Sequence, residues 1–599
     1  MSSIIERLTE GVVNRDMRAE GHALLSKWEK TGLLEGLDGD SKRNSMARLL
    51  ENQAKELLRE SSSMVGGDVE GFAAVAFPIV RRVFAGLIAN DLVSVQPMSL
   101  PSGLIFFLDF TTSTDGAGLP RLGYGNPDGD TEESLYGSNR VGVQIVSGAN
   151  IGGEHAEKGA YNLNNGYAHA TGSAMSVAIT FVTSSVYSSS AGQIPLYCQY
   201  DPELEERSGT ATVGVLSIDL DNLDQVNRDD LVAITMLSRS GSSALNKGFG
   251  RMNATSSTPG GDQEATQLRR LTRLSGSDDS VVYVVFASYD GSATAANIHH
   301  MLTASATGSF TYPIFDDFAI GGALGSVKGQ NLWGLEKQET IPEIDIKVDS
   351  LAVTAMTKKL KAKWTPELGQ DLNAYHNLDA EVELTSILSE QIALEIDREI
   401  LGDLVAGAKA ATYYWSRSPG LFVNRETGAE LGASSAAPDF TGTVSEWYET
   451  LVETINDVSA QIHRKTLRGG ANFLVCSPEV ANILEFTAGF RASVTHDADT
   501  GSVGALNVGS LSKKFDVIVD PYFLRGVVLV GRRGSSFLES GYVYAPYVPL
   551  QTTPTIFGVE DFVPRKGVMT RYAKKMVRPD MYGLVICRDL IGGAGSTGS

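Results

Sequence analysis

The stretch AEVELTSILSEQIALEIDREILGDLVAGA, residues 380–408, sets the architecture. Leu384, Leu388, Ile392, Ile396, Ile400 and Leu404 recur every four residues, and Ile387, Leu394, Leu401 and Val405 widen the stripe. That spacing predicts one helix with a broad apolar face. Asp379 stands where an N-cap belongs, with Glu381 and Glu383 in the first turn, where carboxylates meet the positive end of the helix dipole. No proline interrupts the run. At about 1.5 Å per residue the rod is about 43 Å long, the proportions of a structural spine.

Working outward, residues 337–364 form a charged, extended segment whose IDIKVDSLAV portion alternates as an exposed strand does. Downstream, a linker-like stretch at 430–443 precedes Val444, Tyr448, Leu451, Ile455, Val458 and Ile462, a second helical stripe. NFLVCS (472–477) reads as a buried strand, and Pro478 opens a short helix. FDVIVD, VVLVG, GYVYAPYVPL and LVICRDLI read as further strands before a flexible tail, GGAGSTGS. Upstream, SVAITFVTSSVY, ATVGVLSIDL and SVVYVVFASYD mark a β-rich block over about 175–325, and LIFFLDF (104–110) reads as a buried strand. Residues 111–165, rich in Gly, Asn and Asp, read as long loops. Residues 1–60 differ from the rest, with 10 Lys/Arg and 11 Asp/Glu. There Met46, Leu49, Leu50, Gln53, Leu57 and Leu58 define an amphipathic helix, which the Gly/Ser break after Glu60 marks as a separable module.

The chain has 599 residues, 50 Lys/Arg against 71 Asp/Glu, and a net charge of −21. That balance excludes a protein whose whole surface grips nucleic acid. Its three cysteines, Cys198, Cys476 and Cys587, are far apart and form no CxxC pair, which points to a reducing compartment without disulfide or structural zinc. The N-terminus lacks the apolar core of a secretory signal, and no window of 18 uncharged apolar residues predicts a membrane span. There is no phosphate loop, no HExxH and no GxSxG elbow. His299 and His300 are adjacent, so a regular element points them apart; His155 beside Glu154, and Asp115, Asp128 and Asp130, sit in glycine-rich turns. No catalytic, cofactor or metal site is expected. The basic clusters are Arg81–Arg82, Lys358–Lys359–Lys361–Lys363, Arg464–Lys465–Arg468 and Lys574–Lys575–Arg578. Each is either a solvated face or a contact to acidic patches on neighbouring subunits, with Arg81, Arg82, Lys358, Lys359, Arg464 and Lys465 the candidates for the second role.

Four segments resemble the major capsid protein of T-even-type tailed bacteriophages. They are VRRVFAGLIANDLVSVQPMSLPSG (80–103), ELGQDLNAYHNLDAEVELTSILSEQIALEIDREI (367–400), RKTLRGGANFLVCSPEVANIL (464–484) and GYVYAPYVPL (541–550), in the family's order. The resemblance implies an α+β chain with the Hong Kong 97-like phage capsid fold: a long spine helix, an extended β-hairpin loop, an axial domain and an inserted β-rich domain. Laid on this chain, it implies an N-terminal helical segment at 1–60, an arm and the start of the peripheral domain at 61–130, and the extended loop with its insertion at 131–345. The peripheral domain with the spine helix then takes 346–410, the axial domain 411–535, and the return strands and tail 536–599.

The implied function is structural. Copies would self-assemble into hexameric capsomers of an icosahedral or prolate shell that encloses viral DNA without binding it specifically. Implied partners are further copies of the chain, a vertex protein, a portal, a scaffold, a prohead protease and decoration proteins, with assembly in the host bacterial cytoplasm and residence in the virion. Alternatives are the pentamer-forming vertex protein of the same fold, and a carbohydrate-binding role for the β-rich block. The family's maturation cut follows Glu in a Leu-x-Glu context, which makes Glu60–Ser61 the leading candidate and Glu10–Gly11 and Glu35–Gly36 the alternatives.

Overall fold

The computed structural model describes residues 17–35, 37, 40–61, 87–112, 133–134, 172–175, 179–188, 192–223, 226–236, 251–254, 263–276, 278–289, 295, 309–312, 344–431, 440–492, 506–534 and 539–590. The chain divides into two compact units, Met1–Phe106 with Ser350–Ser599, and Phe107–Asp349. Both helices and sheets are present in quantity, the α+β class that the sequence implies.

The first unit opens with two helices, α1 (Met17–Glu29) and α2 (Asp40–Ser61). β1 (Ser102–Thr112) and β2 (Ile344–Thr354) neighbour each other in one sheet. After β2 come β3 (Met356–Lys363), α3 (Pro366–His376) and α4 (Ala380–Gly407). β4 (Thr412–Ser416), α5 (Val444–Thr466), β5 (Phe473–Cys476) and α6 (Pro478–Glu485) follow. The remaining strands are β6 (Phe490–Ala492), β7 (Leu506–Leu511), β8 (Phe515–Val519), β9 (Val527–Gly531), β10 (Tyr542–Thr552), β11 (Pro564–Met576) and β12 (Tyr582–Arg588).

Helix α4 is the predicted rod. Asp379 Oδ1 accepts from Glu381 N at 2.9 Å, which satisfies one of the donors that a helix start leaves open. Ile392, Ile396, Ile400, Leu401 and Leu404 are buried, whereas Leu384 and Leu388 are half-buried and Ile387 is exposed. The apolar stripe is therefore covered toward its C-terminal end. The outer face, with Glu383, Glu390 and Arg398, is exposed. Beneath the helix lies a sheet in the order Ser94–Val95, β10, β11, β3, with the short strand Ile556–Phe557 also on β11. β3 and β11 run antiparallel, Met356 opposite Tyr572 through Lys363 opposite Arg565.

Helix α2 also packs on β10. Met46, Leu49 and Leu50 of α2 and Trp28 of α1 share one core with Ile396, Tyr544 and Tyr572. Of the expected stripe, Met46, Leu49, Leu50 and Gln53 are buried, while the side chains of Leu57 and Leu58 lie outside the described residues; Asn52 Nδ2 donates to Met98 O at 2.9 Å and Tyr547 O at 3.2 Å. The helical pair is thus docked on this unit within the isolated chain.

A second sheet has the order β4-β12-β9-β5-β8-β7-β6. α5 covers it with Trp447, Leu451, Ile455, Val458 and Ile462. All four residues of β5 are buried, because the core lies on both faces, as its unbroken apolar run predicts. A capping box starts α5: Thr443 Oγ1 accepts from Glu446 N, and Glu446 Oε2 accepts from Thr443 N at 2.7 Å.

The second unit is β-rich. Ile179–Val186, Thr212–Asp219 and Asp278–Ser288 pair antiparallel in a six-stranded sheet. Leu216, Ile218, Val282, Val284 and Phe286 fill one core, and Val213, Val215, Val285 and Ala287 another. With both faces covered, these strands carry continuous β-branched runs in place of alternation.

The expectation of a buried strand at 104–110 needs correction. β1 forms, but Leu104 is 56% and Phe106 62% exposed, while Ile105 between them packs inward. Of Leu104, Ile105 and Phe106, Ile105 alone packs on a core.

Candidate assembly surfaces

A charged seam holds α4 to its sheet. Glu395, Glu399 and Asp403 recur every four residues along one side of the helix. Strand alternation points Lys566, Tyr572 and Lys574 of β11 at that helix, with Lys358 of β3 beside them. Lys358 Nζ lies 2.5 Å from Glu399 Oε2 and 3.3 Å from Glu395 Oε1. Lys574 Nζ is 2.7 Å from both Glu399 Oε1 and Asp403 Oδ2. Tyr572 donates its hydroxyl to Glu399 at 2.5 Å, and Tyr542 donates to Asp403 at 2.7 Å. Near the start of the helix, Lys566 Nζ bonds Glu381 Oε1 at 2.7 Å.

The seam's electrostatics follow from partial burial and dense pairing. Burial alone would raise Glu399, yet hydrogen bonds from Lys358, Lys574 and Tyr572 outweigh it and hold this carboxyl down to about 2. Burial works against the Lys574 cation, but Asp403 and Glu399 together carry its pKa upward. The Lys566 hydrogen bond holds Glu381 below the usual carboxylate range. Burial, joined by the neighbouring carboxylates, pushes the Tyr542 and Tyr572 phenols well above their ordinary value. The raised pKa values of Lys574, Tyr542 and Tyr572 keep these groups protonated donors to the carboxylates. The seam is a fastening.

Sequence reasoning singled out residues that the fold treats differently. Lys358 is engaged in the seam, inside its own chain. Lys359, its neighbour on β3, is exposed on the opposite face of the strand. Arg464 is half-buried near the end of α5, and Lys465 Nζ donates to Lys409 O at 3.2 Å. Lys574, also read as part of a basic cluster, is the centre of the seam. Glu60 and Ser61 are the last two residues of α2, and Glu35 is exposed in a turn. Arg81, Arg82, Glu10, Gly11 and Gly36 lie outside the described residues, as do His155, His299, His300, Asp115, Asp128 and Asp130. Tyr542, Tyr572, Glu399, Asp403 and Lys566 were missed. Four-residue spacing of the acids on α4 was the available signal, but their partners come from strands far away in sequence.

Among the described residues of the first unit, large apolar side chains face outward at several places, and two of these are local clusters. On and before β1 these are Leu100, Leu104 and Phe106. At the turn before β11 they are Ile556, Phe557, Val559 and Phe562, all more than half exposed. That turn is built firmly: Gly558 N donates to Val563 O at 3.0 Å, Phe562 holds a positive φ of 50°, and Arg565 pairs with Asp561 at 2.6 Å. Ordered, outward apolar groups of this kind are the usual mark of protein contact surfaces. The three cysteines are buried, and burial pushes the Cys476 thiol up to about 12. Among the described residues no group of three or more His, Cys, Asp or Glu is placed to hold a metal ion, and no helix is long and apolar enough to cross a membrane.

A rod fastened to a sheet, with apolar residues turned outward, is the build of a structural subunit. Residues 69–212 and 232–594 match the family model described as Major capsid protein Gp23. The chain belongs to that family. It is 28% identical over 322 residues to the major capsid protein of Vibrio phage KVP40, covering 53% of this chain and 60% of that protein. It is 30% identical over 239 residues to the major capsid protein of Enterobacteria phage T4, covering 38% of this chain and 44% of that one. The matches thus span about half the length of these curated relatives. Among solved structures, the capsid of Myoviridae Phage XM1 is similar over 42% of this chain and 79% of that chain, at 9% identity and a TM-score of 0.27.

Proposed function

We propose that this chain is the main building block of a viral shell. Copies self-assemble into hexameric capsomers of an icosahedral or prolate container that encloses DNA, on a Hong Kong 97-type fold. The observation that carries this reading is the family match, which runs through both units and includes α4 and its sheet. The fold supports it by turning Leu104, Phe106, Phe557 and Phe562 outward, where neighbouring copies can bury them. Each contact is small, and repetition across a lattice makes the sum strong. The net charge of −21 suits a container, since a wall that bound DNA would hinder packing and release. Vertex, portal, scaffold, protease and decoration partners belong to the same reading, as does assembly in the bacterial cytoplasm. The chain performs no chemistry of its own in this role.

Expression of the full chain, followed by negative-stain microscopy, tests the reading. Shells or six-fold rings are expected; a monomer at every concentration and salt condition contradicts it. Removal of the N-terminal segment at Glu60–Ser61 is part of the proposal. In its support, the family match begins at residue 69, past the end of α2. N-terminal sequencing of protein from mature particles decides between a start at Ser61, one at the alternative Gly11 or Gly36, and an unprocessed start at Met1 or Ser2.

A further inference from the structure

The seam occupies one face of the sheet beneath α4, and the other face of β3 is unusual. Lys358 and Leu360 point toward α4, so alternation sends Lys359, Lys361 and Lys363 to the far side, where all three are exposed. Lys363 stands directly opposite Arg565 of β11. Like charges paired across strands are destabilising. None of the three lysines has an ion-pair partner among the described residues. Among the described residues β3 is also the edge of its sheet.

Helix α3 has the complementary problem. Not one of its eleven residues is buried. It is well formed nonetheless: Thr365 Oγ1 accepts from Leu368 N, and Asn377 closes it in the left-handed conformation. At 100° per residue, Glu367, Asp371, Tyr375 and Leu368 fall within one arc of about 100°. Tyr375 is 82% and Leu368 49% exposed, and both acids are exposed. Among the described residues nothing covers this acidic, apolar face, and the helix is too short to be stable by propensity alone.

We propose that this face of α3 in one copy docks on Lys359, Lys361 and Lys363 of a second copy. Opposite charge selects the pair and fixes its register, while Tyr375 and Leu368 cover the aliphatic stems of the lysines. Among the described residues no ion pair joins the two surfaces within one chain. α3 follows Trp364, whose side chain points to the α4 side of β3 with Lys358 and Leu360, and Gly369 of α3 lies near the Trp364 ring. The contact is therefore head-to-tail, with different patches on the two partners, the type that propagates into rings or lattices. This inference rests on the shell-subunit reading and supplies one of its contacts.

Cross-linking the full chain tests it. The natural cysteines are all buried, so in the double variant Tyr375→Cys with Lys361→Cys only the new thiols meet a short bismaleimide. A ladder of covalent oligomers is expected from the double variant and no ladder from either single variant. Assembly with no interchain product overturns the contact and leaves the shell reading standing; no association of the wild-type chain at all overturns both. Charge exchange gives an independent check. K359E/K361E/K363E is expected to reduce particle yield at least tenfold, and adding E367K/D371K in the same chain to restore it, with thermal melts confirming that each variant folds. An unchanged yield in the triple variant, or no recovery in the combination, overturns the contact.

Discussion

Lys358 Nζ lies 2.5 Å from Glu399 Oε2, and that single bond ties the edge strand of a sheet to the middle of a 28-residue helix. Lys574, Tyr572 and Glu395 gather round the same pair, so the edge strand β3 and the adjacent strand β11 are fastened to α4 at one place.

The seam gives the chain an acid limit. Glu399 is held at about 2 against an ordinary 4.5. A depressed carboxyl contributes fully above its unfolded value and loses that contribution as pH falls toward the folded one. Stability supplied by Glu399 is therefore complete above about pH 5 and disappears progressively between about 4.5 and 2. Thermal melts from pH 7 to pH 3 should show wild type losing more stability over the acid range than Glu399→Gln. At pH 7 the variant should be weaker by about 1–3 kcal/mol, because two half-buried lysines lose a charged acceptor. Equal acid slopes would remove Glu399 from this role.

Two isoleucines nine residues apart on α4 should behave oppositely. Ile396 is fully buried and Ile387 half exposed. Ile396→Ala is expected to cost about 2–5 kcal/mol in urea unfolding, and Ile387→Ala under about 1 kcal/mol. Similar losses would mean that the helix presents a different face.

Thr443→Ala removes one half of the capping box on α5. A loss of about 1 kcal/mol is expected by urea unfolding, since Glu446 N loses its acceptor. A neutral result would show that water replaces the cap without cost.

Phe106→Ser should separate folding from assembly. The side chain is 62% exposed, so the melting temperature of the unassembled chain should change little. Particle yield on negative-stain grids should fall sharply. Normal shells from this variant would show that the β1 surface takes no part in the lattice.

The helices were legible because their signals are local. Four-residue repeats with Asp379 or Thr443 ahead of them determine both the face and the start of each rod. The buried strand β5 was legible for the same reason: NFLVCS has no polar break inside it. Strand β1 misled because its apolar run matches a core strand, yet Leu104 and Phe106 are more than half exposed. On the proposed shell reading, such positions find their partners on other copies. The seam was illegible for a different reason. Lys358 and Lys574 are 216 residues apart, and only the antiparallel register of β3 and β11 brings them to the same helix face. Read linearly, each looked like a surface cluster. Strand β11 hid likewise, because its Lys and Arg residues mask an alternation in which Val568 and Tyr572 point at α4.

Because Glu395, Glu399 and Asp403 share one line along α4, any spin of the rod about its own axis would tear all of these bonds at once. The Lys566–Glu381 bond ties its less covered N-terminal end to the same sheet. The helix is keyed like a shaft in a slot: a push delivered near Glu381 is passed to the sheet as leverage, and torque is not lost to slippage.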